Sequence, residues 1–93
     1  MKNFGVYILE SQKNGRYYVG STEDIDRRLR QHNAGSVLST RNARPWILMV
    51  FVNCVNLTDA RSSEYRLKKY KRKDILKKVI QDAVFPWDYK KRD

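Results

Sequence analysis

The chain has 93 residues, 41% of them hydrophobic and 32% charged, which predicts one globular domain and excludes wholesale disorder. A net charge of +10 favours a polyanionic partner, with nucleic acid as the first candidate and an anionic membrane surface as the second. No apolar run has the length of a transmembrane helix or a signal peptide, and the single cysteine, Cys54, has no partner for an internal disulfide, so we expect a cytoplasmic protein without a membrane anchor.

The first predicted element is a β-hairpin. Two segments rich in β-branched and aromatic residues flank the turn signal Asn14-Gly15, at 4–9 and 16–20. The register that we prefer pairs Tyr7 with Tyr18 and Gly5 with Gly20, which stands both phenols on one face beside bare backbone. A tight turn at Asn14-Gly15 would keep the tyrosines on one face but separate them by about 13 Å along the strands.

A helix is predicted over about residues 23–33. Serine, threonine and two acids at 21–24 supply helix-start chemistry, and Ala34-Gly35 supplies a stop. Ile25, Leu29 and His32 mark one face at helical spacing. Arg28 lies at the margin of that face, so it can reach over the edge of the sheet.

A polar loop at 36–45 separates this helix from the second half of the chain. The nearly continuous apolar run 46–55 is typical of a central strand covered on both faces. Two helices follow, near 56–70 and 74–83. The predicted order β-β-α-β-α-α makes an α/β (α+β) fold, with a small, three-stranded, mostly antiparallel sheet flanked by helices.

Two units are distinguished along the chain. Residues 1–83 form the predicted domain, and 84–93 form an aromatic and basic C-terminal tail that we expect to be partly ordered by Phe85 and Trp87.

One acid lies within the apolar stripe of the helix after the third strand. Ala60, Glu64 and Leu67 fall at i, i+4 and i+7, so Glu64 is expected on the core side. A carboxylate there needs a partner or a metal, because its desolvation alone is costly. A structural salt bridge with an arginine is the alternative. The other charged residues of this helix are expected to point elsewhere: Arg61, Arg66, Lys68 and Lys69.

Together these residues resemble the GIY-YIG nuclease superfamily over about residues 3–80. The resemblance rests on Gly5-Val6-Tyr7, Tyr18-Val19-Gly20, an arginine eight residues after Gly20 and a later helical glutamate. The run YVGSTEDIDRRLRQHNAG looks like the corresponding stretch of homing endonucleases and of the excinuclease C nuclease domain. The loop that runs from Thr40-Arg41 to Pro45 is similar to that of the small stand-alone, excinuclease-C-like members.

The resemblance implies a divalent-metal-dependent endonuclease that acts on DNA phosphodiester bonds. In this resemblance Tyr7 is the general base that activates the attacking water, and Tyr18 orients the water or the phosphate. Arg28 is the cation that stabilises the negative charge developing on the phosphate. Glu64 would hold one ion, Mg²⁺ or Mn²⁺, which accepts a site with one carboxylate, waters and phosphate. His32 matches a histidine that only some members have. Ser21 stands where excinuclease C carries a lysine.

The expected partner is DNA, branched or single-stranded, in repair or processing. DNA contacts are expected from a basic and polar set: Arg27, Thr40, Arg41, Arg44 and Lys68. The main alternative is a non-catalytic nucleic-acid-binding module on the same fold, which would bind a strand through charge and stacking on Tyr17, Trp46, Trp87 and Tyr89. A weaker alternative is a protein-interaction subunit docked through its aromatic tail.

Overall fold

A computed structural model describes residues 3–88 of the chain. Its elements are β1 (Gly5–Ser11), β2 (Tyr17–Thr22), α1 (Ile25–Ala34), β3 (Trp46–Asn53), α2 (Leu57–Lys68) and α3 (Lys73–Asp82), with a 3-10 turn at Arg41–Ala43 before β3. The predicted fold class and the order β-β-α-β-α-α are confirmed, and all strand pairs are antiparallel. None of the helices in residues 3–88 has the length and apolarity needed to cross a membrane.

The strand order is β2-β1-β3, so β1 is the central strand. The prediction that the third strand is central and covered on both faces is wrong. Ile47 and Leu48 of β3 are 44% and 37% exposed, whereas every residue of β1 except Glu10 is buried. The hairpin leaves one free edge of β1, and β3 pairs there, which makes β3 an edge strand despite its apolar composition.

The hairpin register lies midway between the two predicted ones. Tyr7 lies opposite Gly20 and Leu9 lies opposite Tyr18, so neither predicted pairing of the tyrosines is correct. The difference is two residues, and a shift of two preserves the face to which a side chain points. Tyr7 and Tyr18 therefore share a face, as expected, with ring centroids 6.3 Å apart.

The register has a steric cause at Gly20. A Cβ atom at this position would overlap the hydroxyl of Tyr7, so the phenol lies over backbone that carries no side chain. Bare backbone beside the phenols was expected, but Gly20 lies opposite Tyr7 and not opposite Gly5 as predicted.

The sheet is covered by helices on both faces. Val6, Ile8 and Val19 form one core with α2 and α3, and this core includes Phe85. Tyr7, Leu9 and Trp46 form the opposite core, against which Ile25 and Leu29 of α1 pack. In the described part of the tail, residues 84–88, Phe85 is buried and Trp87 stacks on it with centroids 4.8 Å apart. Residues 89–93, including Tyr89, lie outside the described part of the chain.

Helix caps fix the phase of the site-bearing helices. The side chain of Asp24 accepts a hydrogen bond from the backbone N–H of Arg27 at 3.1 Å, so α1 begins at Ile25, two residues after its predicted start. Gly35, with φ of 83°, ends α1 at the predicted stop. Asn56 caps α2 in the same manner, by accepting from the backbone N–H of Asp59 at 2.8 Å.

Candidate active site

The candidate site straddles β2, which is an edge strand. Tyr7, Tyr18, Arg28 and His32 lie on the face covered by α1. Glu64 lies on the side of α2, where the hydroxyl of Ser21 donates to its Oε1 at 2.5 Å. Neighbouring residues of a strand point to opposite faces, so β2 contributes side chains to both halves of the site.

Tyr7 is almost completely buried, and its hydroxyl has two polar partners. The hydroxyl contacts Nε2 of His32 at 2.8 Å and accepts a long hydrogen bond from Nε of Arg28 at 3.4 Å. Burial raises the pKa of Tyr7 to about 12, while the hydrogen bond and the charge of Arg28 act in the opposite direction. Tyr7 therefore holds its proton at neutral pH, and its use as a base requires cationic charge beyond that of Arg28.

His32 is fully buried and connects Tyr7 to Thr40. Its Nδ1 lies 2.8 Å from Oγ1 of Thr40, and that hydroxyl is 3.4 Å from the carbonyl oxygen of Val37, to which it donates. The hydroxyl thus accepts from Nδ1–H, which leaves Nε2 as the acceptor for the proton of Tyr7. Burial first, and the charge of Arg28 second, lower the pKa of His32 to about 4, so the imidazole is neutral at physiological pH.

Arg28 and Tyr18 complete this half of the site. Arg28 is half-buried, and its Nη1 donates to Oε1 of Gln31 at 2.9 Å, which directs the guanidinium along the sheet edge. The ring of Tyr18 packs edge-on against His32, with centroids 5.0 Å apart. The rings of Tyr7, Tyr18 and His32 thus form one aromatic cluster beneath the strand edge.

Glu64 lies at the margin of the core stripe of α2. Ala60, Ser63 and Leu67 are buried, whereas the side chain of Glu64 keeps 21% of its surface exposed. Its Oε2 pairs with Nζ of Lys68 at 2.6 Å, so its structural partner is a lysine and not the arginine considered from the sequence. The Tyr7 hydroxyl lies against Gly20, and the next residue, Ser21, contacts Glu64, so the two halves of the site are close.

The donor set fits a hard cation with few protein ligands. Among residues 3–88 no group of three or more histidine, cysteine, aspartate or glutamate side chains could hold a metal. Glu64 is an accessible carboxylate oriented by Ser21, and Mg²⁺ commonly binds through one or two carboxylates together with waters and substrate phosphates. Lys68 competes with such an ion, because it occupies Oε2 of Glu64.

A polar cleft of about 350 Å³ opens beside Glu64, between α1 and the start of α2. Arg27, Arg28 and Arg61 line it together with Ser21, the residue that contacts Glu64. Glu23 lines the cleft as well, and the three guanidinium groups outnumber this acid, so the cleft suits a phosphate backbone that must approach a bound cation. Arg61 is exposed and lies outside the core stripe, as expected, but its part in the cleft was not predicted. Its spacing of three residues before Glu64 puts both on one helix face and was the available signal.

The other predicted DNA contacts fall in different places. Lys68, also expected to point elsewhere, pairs with Glu64 at the site. Arg41 and Arg44 are exposed, and Nε of Arg44 donates to the backbone oxygen of Arg41 at 2.8 Å, outside the cleft. Thr40 was wrongly expected to contact DNA, because it is fully buried. Its hydroxyl holds His32.

The stacking residues of the alternative hypothesis are largely occupied. Trp46 is 5% exposed, and its indole N–H donates to the backbone oxygen of Thr40 at 2.9 Å. Trp87 is covered by Phe85 on one side and by the guanidinium of Arg66, 4.2 Å from its ring centroid. Neither indole offers a free face to a base, whereas Tyr17 is half-buried at the start of β2.

Comparisons with known proteins identify relatives of two sizes. The chain is 37% identical over 68 residues to a UPF0213 protein of Halobacterium salinarum, which covers 72% of this chain and 87% of the relative. It is 46% identical over 56 residues to the structure-specific endonuclease subunit SLX1 of Scheffersomyces stipitis, over 53% of this chain. Only 17% of that longer relative is matched. No solved structure is significantly similar.

The match to a family profile covers most of the chain. The profile described as the GIY-YIG catalytic domain matches residues 3–78, which include both tyrosine motifs, Arg28, His32 and Glu64. The chain belongs to the GIY-YIG nuclease family.

Proposed function

We propose that this chain is an endonuclease that hydrolyses DNA phosphodiester bonds with one divalent ion, Mg²⁺ or Mn²⁺, held at Glu64. A structure-specific role in DNA repair or processing is part of the proposal and is supported by the name of the SLX1 relatives. The observation that carries the proposal is the half-buried Glu64 carboxylate at an arginine-lined cleft beside the Tyr7–His32 pair. A binding module needs the arginines but has no use for the Glu64 carboxylate that Ser21 orients next to them, since it repels phosphate.

Each residue has a role that follows from its surroundings. Arg28 and its neighbours in the cleft bind the phosphate and keep a fixed positive charge where negative charge develops. Tyr18 borders the site from the strand edge and orients the phosphate or the attacking water. A divalent ion, when bound at Glu64, supplies charge that polarises the phosphate and stabilises the leaving oxygen.

Proton transfer is assigned to the buried pair Tyr7 and His32. The hydroxyl of Tyr7 donates to Nε2 of His32, and Thr40 holds the imidazole in the tautomer that accepts. This arrangement turns a lone pair of the Tyr7 oxygen toward Arg28 and the cleft. Since burial raises the pKa of Tyr7 to about 12, we propose that Tyr7 acts as a base, with its own proton passing to Nε2 of His32, only when a bound cation adds its positive charge to that of Arg28.

The decisive experiment is a cleavage assay with a matched pair of variants. Linear, nicked, flapped and branched DNAs are incubated with the protein in Mg²⁺, in Mn²⁺ and in chelator. Cleavage should require the metal and should be lost in Glu64→Gln, which preserves side-chain size but removes the charge that holds a cation. Glu10→Gln is the control. Glu10, an acid of β1, neither lines the arginine cleft nor contacts Glu64, so this variant should cut normally.

Metal binding is measured separately from cleavage. Mn²⁺ should broaden the NMR amide signals of Ser21 and Glu64 in the wild type and in Glu10→Gln, but not in Glu64→Gln. Cleavage that survives in excess chelator would refute the role of the metal. A wild type that binds every DNA and cuts none would establish the non-catalytic binding module instead.

A further inference from the structure

A second pocket lies between β2, the end of α2 and the start of α3. It has a volume of about 420 Å³, within the range of about 300–1,000 Å³ typical of pockets for small ligands. Its apolar walls are formed by Val19, Leu67 and Leu76, and the ring of Tyr17 lines it beside them. Such walls suit a flat, weakly polar group.

The rim of this pocket is strongly basic. Half of its lining residues are cations, and none is an acid: Arg16, Lys68, Lys71, Arg72 and Lys73. Nζ of Lys73 lies over the ring of Tyr17, 5.0 Å from its centroid, so a base that enters must displace this ammonium group from the ring toward the nucleotide's own phosphate. An apolar, aromatic interior with a cationic rim is complementary to a nucleotide, whose base is flat and whose phosphate is anionic.

The pocket adjoins the candidate active site through two of its lining residues. Lys68 lines it and also contacts Oε2 of Glu64 at 2.6 Å. Tyr18 lines it and packs against His32. Ser21, at the arginine cleft, is three residues further along β2, about 10 Å at the usual rise of a strand. A strand a few nucleotides long therefore reaches from the arginine cleft past Glu64 to this pocket.

We propose that the pocket binds one unpaired nucleotide of the DNA strand that enters the active site. The base lies against Tyr17 and the apolar wall, and its phosphate contacts the cationic rim. A paired and stacked base has both faces covered, so only an unpaired or extruded base can enter a concave pocket of this kind. The arginine cleft, which is polar, then holds the sugar-phosphate backbone on the far side of Glu64. This arrangement deepens the proposed function, since it selects DNA with a single-stranded nucleotide beside the cut.

The test measures binding in chelator, where cleavage is not needed. A DNA hairpin with a short single-stranded extension is compared with a series in which one unpaired nucleotide at a time is abasic. One abasic position should weaken binding between roughly 5-fold and 150-fold, the equivalent of one stacked base. The difference should persist in Tyr17→Phe and disappear in Tyr17→Ala, with thermal melting used to confirm that both variants fold.

A second pair of variants tests the rim. Lys71→Gln should weaken binding of the extended hairpin more than of a blunt hairpin, whereas Lys69→Gln, an exposed neighbour outside the pocket, should affect both equally. Equal affinity of the wild type for every abasic position, as expected if the pocket takes an acidic peptide, would overturn the proposal. If the protein discriminates among the abasic DNAs but does not cleave in Mg²⁺, the proposed function is refuted and the pocket is not. If it cleaves but does not discriminate, the pocket is refuted and the proposed function is not.

Discussion

Removal of one hydroxyl from Tyr7 tests the buried half of the site. Tyr7→Phe preserves the ring and loses the contacts to Nε2 of His32 at 2.8 Å and to Nε of Arg28 at 3.4 Å. His32 is fully buried, so Nε2 is left without a donor and the free energy of unfolding should fall by about 1–3 kcal/mol. A domain of ordinary stability tolerates that loss. The cleavage rate should fall by roughly 10² or more if the hydroxyl takes part in proton transfer.

The two effects are measured separately. Urea unfolding gives the stability, and single-turnover cleavage at saturating Mg²⁺, well below the melting temperature, gives the rate. Tyr65→Phe is the matched control, because Tyr65 is 65% exposed on α2, and it should change neither quantity. DNA affinity should stay within about twofold in both variants, since a neutral phenol releases no counterions. A Tyr7→Phe protein that cuts at the normal rate would remove this hydroxyl from the chemistry, and unchanged stability would refute the hydrogen bond.

Two further predictions concern charge. Lys68→Met removes the ammonium group from Oε2 of Glu64, so Mn²⁺ affinity of the free protein should rise several-fold in a titration followed by NMR, while DNA affinity falls. Lys69→Met is the control for lost charge, and an equal rise in it would contradict direct competition. Because burial lowers the pKa of His32 to about 4, the unfolded chain binds an extra proton below about pH 6.5. The free energy of unfolding should therefore fall by about 1–2 kcal/mol more from about pH 7 to pH 5 than it does in His32→Asn. Equal pH profiles in urea unfolding would refute this.

The elements were predictable because their signals are local. Caps, turn residues and periodicity depend on neighbours within one or two turns of chain, and they located all three helices and all three strands to within two residues. Strand order was not predictable in this way. The apolar run of β3 suggested a central strand, but the central strand is decided by which of the two hairpin edges the third strand pairs with.

The hairpin register illustrates the same limit. Both predicted registers satisfied the turn signal at Asn14-Gly15, and both kept Tyr7 and Tyr18 on one face. The actual register depends on the fit of the Tyr7 phenol over Gly20, a contact between strands that no local pattern records. The predicted faces of the two tyrosines were nevertheless correct, because a register shift by an even number of residues leaves each side chain on the same face of the sheet.

The candidate site divides in the same manner. Hairpin register and helix spacing singled out Tyr7, Tyr18, Arg28 and Glu64, and the resemblance supplied their roles. Their positions near one strand edge agree with the predicted helix phase and strand face. Thr40 was misassigned because a threonine in a polar loop reads as exposed, whereas its hydroxyl is needed to orient His32. Ser21 had no assigned role, because a hydroxyl that donates across to another helix leaves no spacing signal in the sequence.

The position of the site on an edge strand reconciles two opposing requirements. The hydrogen-bonded chain Tyr7–His32–Thr40 must be shielded from water, because burial keeps His32 neutral and able to accept the hydrogen bond of Tyr7. Glu64 must be accessible to solvent, because a hydrated cation and a phosphate backbone have to approach it. A central strand, covered on both faces, could not serve both. On β2, Tyr18 faces the buried aromatic cluster under α1, whereas Ser21 points to the opposite face and contacts Glu64 of α2, so three residues of one edge strand join the buried half of the site to the open half. Gly20 is the middle one, and its missing side chain gives the Tyr7 hydroxyl its place against the strand.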